Sequence, residues 1–176
     1  PGWAEQHAEV YWSVLGCALR KIVERSAARD ATEAGRIAAL AIGTQRGTYV
    51  NVDRDGNPLR PAIVWPDQRK ASTEGLIPNA AVPVLKAVGL FGFVEYATQY
   101  CRSNWLRQNE PETWQRTHKY LCLSGYLTFR LTGEFRDSVG NIVATMPIDV
   151  KRSRWSGRLD PKTWLFPIER EKLPEI

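Results

Sequence analysis

Two short groups of polar and aromatic residues flank one turn in the stretch AIGTQRGTYVNVDRDGNPLRPAIVWPDQR, Ala41 to Arg69. On the near side stand Gln45, Arg46 and Gly47; on the far side stand Trp65, Asp67 and Arg69. Arg46 carries a rigid fork of donors, Gln45 both donates and accepts, and the Asp67 carboxylate accepts from hydroxyl groups. Trp65 adds a flat apolar face for C–H groups and one N–H donor. Gly47 lets a ligand come close to the backbone. Together these types suit recognition of a small polyhydroxylated molecule. They also suit a purely architectural arrangement, with Arg46 or Arg69 paired to Asp67 and Trp65 in the core.

The elements around them decide whether the two groups meet. Tyr49-Val50-Asn51-Val52 and Ala62-Ile63-Val64-Trp65 have strand propensity, and Asp53-Arg54-Asp55-Gly56-Asn57 between them is a strong turn. A hairpin turning at Asp55-Gly56 sets Arg46 opposite Trp65, about 5 Å apart. Pro58 and Pro61 limit pairing near the turn and leave room for a register shift of a residue or two. In either register both groups reach the same rim.

Elsewhere, residues 8–29 read as an amphipathic helix with Val10, Val14, Cys17, Ala18 and Ile22 on its apolar stripe. Ile37 to Ile42 reads as a short buried strand. Residues 70–97, with Pro78, Pro83, Gly89 and Gly92, read as loops with short helical turns. The helical signal returns from Thr98 through Trp105 and Leu106, and Pro111 suits the first turn of another helix. His118 to Leu131 reads as a third, with Tyr120, Leu123, Leu127 and Leu131 on one stripe and Gly133 placed to stop it.

The 176 residues suffice for one domain with a real core, and 43% hydrophobic with 24% charged residues is ordinary for a globular protein. No apolar run approaches the roughly 20 residues a membrane helix needs, and no leader is evident. The balance of 24 basic and 19 acidic residues gives +5, but the charges are interspersed. The densest group, Lys151-Arg152-Ser153-Arg154, reads as a solvated turn, so a nucleic-acid partner is not expected. Cys17, Cys101 and Cys122 form no metal-ligating spacing and read as small core residues in a reducing, cytoplasmic setting.

In order, several segments resemble the amino-terminal domain of the FGGY carbohydrate kinases, the family of glycerol kinase and xylulokinase. They are Pro1 to Gln6 with Tyr11-Trp12, Ala41 to Gly47, Leu59 to Trp65 with Asp67 and Arg69, Trp105-Leu106 through Glu112, Leu121 to Tyr126, and Arg130 to Glu134. The resemblance implies an α/β, ribonuclease H-like fold related to actin and hexokinase, here truncated at both ends. It implies transfer of the γ-phosphoryl group of ATP, with Mg²⁺, to a hydroxyl of a sugar, polyol or sugar acid. The substrate side is then carried by Gln45, Arg46, Trp65 and Asp67, with Gly47, Arg69 and Tyr96 as further candidates.

The chain departs from the family where substrates are told apart. Some members carry Glu after the arginine and others Met-His after the glutamine, whereas this chain has Arg46-Gly47. Arg102 replaces a usual lysine, and residues 71–97 lack a clear match. The family's phosphate-binding hairpin and catalytic aspartate are not in this chain, nor is the ATP-binding domain. Gly43 to Thr48 lacks the Gly-Lys-Thr ending of a phosphate loop. The expectation is a fragment supplying part of a substrate pocket, inactive alone, within a homo-oligomeric kinase. The alternative is a non-catalytic sugar-binding or regulatory relative of the same fold.

Overall fold

The computed structural model describes residues 2–30, 32, 34–143, 145–158 and 160–176. Pro1, which opens the first family-like segment, lies outside the described residues, as does Ala144. At the centre is an antiparallel sheet of β1 (Glu5–Gln6), β2 (Tyr49–Val52), β3 (Ala62–Ile63) and β4 (Lys119–Cys122), ordered β1-β3-β2-β4. All four β2 residues are buried, because both faces of the sheet are covered. Side chains alternate across a strand. Tyr49, Tyr120 and Cys122 therefore enter one core, and Val50, Val52 and Leu121 the other.

The second core is closed by α1 (Ala8–Arg29) and α6 (Leu123–Thr132), through Ala8, Leu123, Tyr126 and Leu127. Burying an aliphatic side chain such as Leu121 stabilises by about 1.5–3 kcal/mol. The first core is closed by α4 (Arg102–Asn109) and α5 (Pro111–Arg116), which contribute Trp105, Leu106 and Trp114. Its other wall is α7 (Val139–Ile142) and a small ribbon of β5 (Ile148–Asp149) and β6 (Arg154–Trp155). Two more helices, α2 (Ala81–Ala87) and α3 (Phe91–Tyr100), precede α4, and α8 (Lys162–Leu165) follows the ribbon.

Helix 8–29 forms as the periodicity predicts, with Glu9 in its first turn and Arg29 in its last, the signs that complement a helix dipole. The face it buries is different. Tyr11, Trp12 and Leu15 pack on the core, while Val10, Val14, Cys17 and Ile22 are exposed. The ringed face wins because it has more area to bury and a partner in α6: Tyr126 Oη donates to Glu9 at 2.6 Å, and Arg130 sits 4.7 Å over the Trp12 ring. Cys17 is thus not a core residue, unlike Cys101 and Cys122.

Three further expectations are corrected. Residues 37–42 form no strand, since no described segment pairs with them, and Ile37 and Leu40 are exposed. The supposed helix from His118 begins as β4, because Tyr120 and Cys122 alternate with Leu121 and ladder onto β2; the helix starts only at Leu123. It ends at Gly133, as expected, in the left-handed conformation (φ 77°). Within 70–97, α2 tolerates Pro83 because it stands in the first turn, where a backbone N–H has no intrahelical acceptor. The next helix runs from Phe91 and breaks at extended Cys101, where the sequence suggested a start near Thr98.

Candidate substrate site

The turn at residues 53–57 is built by Asp53, whose carboxylate accepts from the backbone N–H of Asp55 and Asn57, both at 2.9 Å. Gly56 completes it with φ 81°, against the Phe129 ring. Pairing of Tyr49 with Ile63 then fixes the register. Continued outward, that register brings Gly47, not Arg46, across from Trp65: the Cβ position of Gly47 lies 3.5 Å from Trp65 Cβ. The two ends of the hairpin do meet at Gly47 and Trp65, one residue out of the expected step. It is the backbone, at φ 78°, that suits glycine at position 47, since an added Cβ would make only ordinary contact with Trp65 Cβ.

Beside this rim opens a cavity of about 830 Å³, a size usual for small-molecule sites. Gly47, Trp65 and Tyr96 line it, together with Tyr49, Phe93, Tyr100 and Tyr120. Its far wall comes from Thr145 to Lys151 and from Lys162 to Ile168. Trp65 and Tyr96 are 63% and 61% exposed, so their rings are free to meet a ligand. Tyr96 packs on Tyr100 at 4.5 Å between ring centres. Arg46 is exposed at the edge, its guanidinium 3.4 Å from the carbonyl oxygen of Val143, another lining residue. Gln45 is exposed and donates to Thr48 Oγ1 at 3.2 Å.

Asp67 and Arg69 stand apart from the cavity. Both side chains are buried and pair at 2.8 Å; Asp67 also accepts from the Ala4 N–H at 2.6 Å, and Arg69 donates to Glu5 at 2.8 Å. The Arg69 guanidinium lies between the rings of Trp3 and Trp105, 4.2 Å and 4.4 Å from their centres. Burial opposes ionisation of Asp67, but hydrogen bonds from the Arg69 side chain and the Ala4 N–H outweigh it and hold its pKa below the usual range. The architectural alternative therefore describes this pair, with Arg69 rather than Arg46 as the cation, while Trp65 stays outside the core.

Sequence reading did not single out Arg102 as a brace. Its guanidinium donates to the carbonyl oxygens of Asp67, Arg69 and Tyr100 at 2.5, 3.3 and 3.2 Å, tying the segment after β3 to the start of α4. A planar fork suits three acceptors better than a lysine would. Tyr49 and Tyr120 were missed as well. Their rings stack at 4.9 Å, a diagonal contact that only the β2–β4 register reveals. Asp137, near Ser138 and Asn141, accepts from Ser124, the Ser138 N–H and Asn141, which is a loop-stabilising role.

The whole of residues 1–176 matches the FGGY family of carbohydrate kinases, N-terminal domain. A glycerol kinase of Thermococcus gammatolerans is 33% identical over 181 aligned residues, which cover 100% of this chain and 35% of that protein. A xylulose kinase of Lactococcus lactis is 27% identical, over 99% of this chain and 33% of its own length. Among solved structures, a xyloylose kinase from Brucella ovis superposes with a TM-score of 0.67 at 24% identity, covering 99% of this chain and 35% of that one. A gluconate kinase from Lactobacillus acidophilus gives 0.66 at 20%, covering 99% and 34%. The structural likeness shows the fold, that of the actin- and hexokinase-like sugar kinases. The chain spans about a third of the length of these relatives, and it belongs to the FGGY family of carbohydrate kinases, in their N-terminal domain.

Proposed function

We propose that this domain supplies part of the substrate pocket of an enzyme that transfers the γ-phosphoryl group of ATP to a hydroxyl of a sugar, polyol or sugar acid. The observation that carries the reading is the convergence of Gly47 and Trp65 on the mouth of an aromatic-walled cavity, in a chain of carbohydrate-kinase family. Trp65 and Tyr96 offer ring faces to the C–H side of a carbohydrate, and Arg46 offers donors to its hydroxyl or carboxylate oxygens. Held there, a ligand is oriented and partly shielded from water, the contribution that positioning makes to phosphoryl transfer.

ATP and Mg²⁺ are the co-reactants such a transfer uses, but the residues described do not fit either. Gly43 to Thr48 has no phosphate-loop ending, and no group of three or more His, Cys, Asp or Glu among the described residues is placed to hold a metal ion. No step through those groups is assigned to this domain. No helix among the described residues is long and apolar enough to cross a membrane.

The test is a thermal-shift panel on the intact protein with glycerol, xylulose, gluconate and related ketoses, alditols and aldonic acids. A ligand stabilises the state it binds, by about 2.7 kcal/mol at a hundred times its Kd. At least one carbohydrate is expected to raise the melting temperature, and Arg46→Ala to abolish or sharply reduce that rise. A panel without any shift, or an undiminished shift in the variant, contradicts the reading.

A further inference from the structure

Two exposed rings of the cavity, Trp65 and Tyr96, stand on segments that one side chain ties together. Trp65 sits in a tight turn, closed where the Asp67 N–H donates to the Val64 carbonyl oxygen at 3.1 Å. Tyr96 stands on α3, one turn before its last residue, Tyr100, and packs on that ring. Arg102 reaches both. Its Nη2 donates to the Asp67 carbonyl oxygen, at the end of the Trp65 turn. Its Nη1 donates to the Tyr100 carbonyl oxygen, at the end of α3, and to that of Arg69. A backbone bond runs along the same seam, from the Ala71 N–H to the Gln99 carbonyl oxygen at 2.8 Å.

Arg102 is buried, yet among the described residues it forms no ion pair. Taking a charge out of water is costly, and carbonyl dipoles return less than a carboxylate would. What the guanidinium does provide is geometry, a planar set of donors in fixed directions. We infer that Arg102 is a positioning residue of the carbohydrate site: by holding the Trp65 turn and the end of α3 in one plane of hydrogen bonds, it sets the spacing of the Trp65 and Tyr96 rings without itself touching the ligand. This role rests on the proposed site and adds to it the device that fixes its two aromatic walls. A ligand held between two rings depends on their separation, so a shift of either segment weakens binding although every contacting residue is still present.

A double-mutant cycle separates this role from a merely structural one. In the intact protein, Arg102→Lys is to be made both in wild type and in Trp65→Ala. Affinity is read by calorimetric titration, well below every melting transition, with whichever of glycerol, xylulose or gluconate binds wild type most tightly. Lysine keeps the charge and the stem, and the Ala71–Gln99 bond keeps the seam, so the variant folds. A single ammonium does not reproduce the planar fork that spans both segments. Affinity is expected to fall about five-fold in the wild-type background and less than about two-fold once Trp65 is gone, the non-additivity of groups that act through one another. An unchanged affinity, with or without a lowered melting temperature, overturns the inference and leaves the carbohydrate site standing. An equal loss in both backgrounds overturns it too, since Arg102 would then act without Trp65. Failure of all three probes to bind wild type removes the proposed site, and this role with it.

Discussion

Arg69 is a cation with its side chain almost wholly enclosed, held by Asp67, Glu5 and two indole faces. Removing one partner of such a pair leaves a charge that neither water nor protein solvates, which costs about 3–5 kcal/mol. Glu5 keeps one contact, so Asp67→Ala is expected near the low end, about 3 kcal/mol by urea unfolding. The same pair sets an acid limit. The Asp67 pKa is depressed in the folded state, so its contribution is complete above the ordinary carboxylate value of about 4 and is lost as pH falls through the lower folded value. Asp137 works in the other direction: burial raises its pKa above the usual range despite hydrogen bonds from Ser124, Ser138 and Asn141. Protonation there favours the folded state as pH drops. The stability gap between wild type and Asp67→Ala should therefore narrow below about pH 4, a trend that urea titrations across pH will show. A constant gap would deny the ion pair its role.

At the scale of elements, the turn at residues 53–57 sets the register on which the rim depends. An added Cβ at Gly56 would come 1.9 Å from Phe129 Cε1, in a ring stacked on Phe135 at 4.3 Å. Left-handed backbone strain costs an L-residue about 1–2 kcal/mol, and displacing the ring adds to it. Gly56→Ala is expected to lower stability by about 2 kcal/mol or more, read by chemical denaturation, and a neutral substitution would mean that the turn is not fixed as described. The turn and the flanking strand β2 were legible because Asp-Gly chemistry and alternation are local signals. The register was one residue off because pairing is set at Tyr49–Ile63, beyond Pro58 and Pro61. β4 was hidden because Tyr120, Leu123 and Leu127 also fit a helical stripe, and only the partner strand decides between the two periods. Residues 37–42 show the converse, an apolar run with strand composition and no described strand beside it.

For the whole molecule, one sheet divides two cores, and the cavity opens where the first core meets α3, the start of α4 and the stretch after Val143. Its lining runs from Gly47 to Ile168, so no single window of sequence displays it. What the sequence does display is one edge, Gly47 and Trp65, because a hairpin joins them locally. Asp67 and Arg69, two and four residues farther along, turn inward to brace β1 instead of facing the cavity. In the proposed site this edge holds a carbohydrate by the Trp65 indole. Isothermal titration of the intact protein with its best-binding carbohydrate, wild type against Trp65→Ala, tests it most directly. Since the indole is 63% exposed, the melting temperature should stay nearly unchanged, whereas the affinity should fall about ten-fold or more. An affinity equal to wild type in a variant of unaltered stability would contradict the claim.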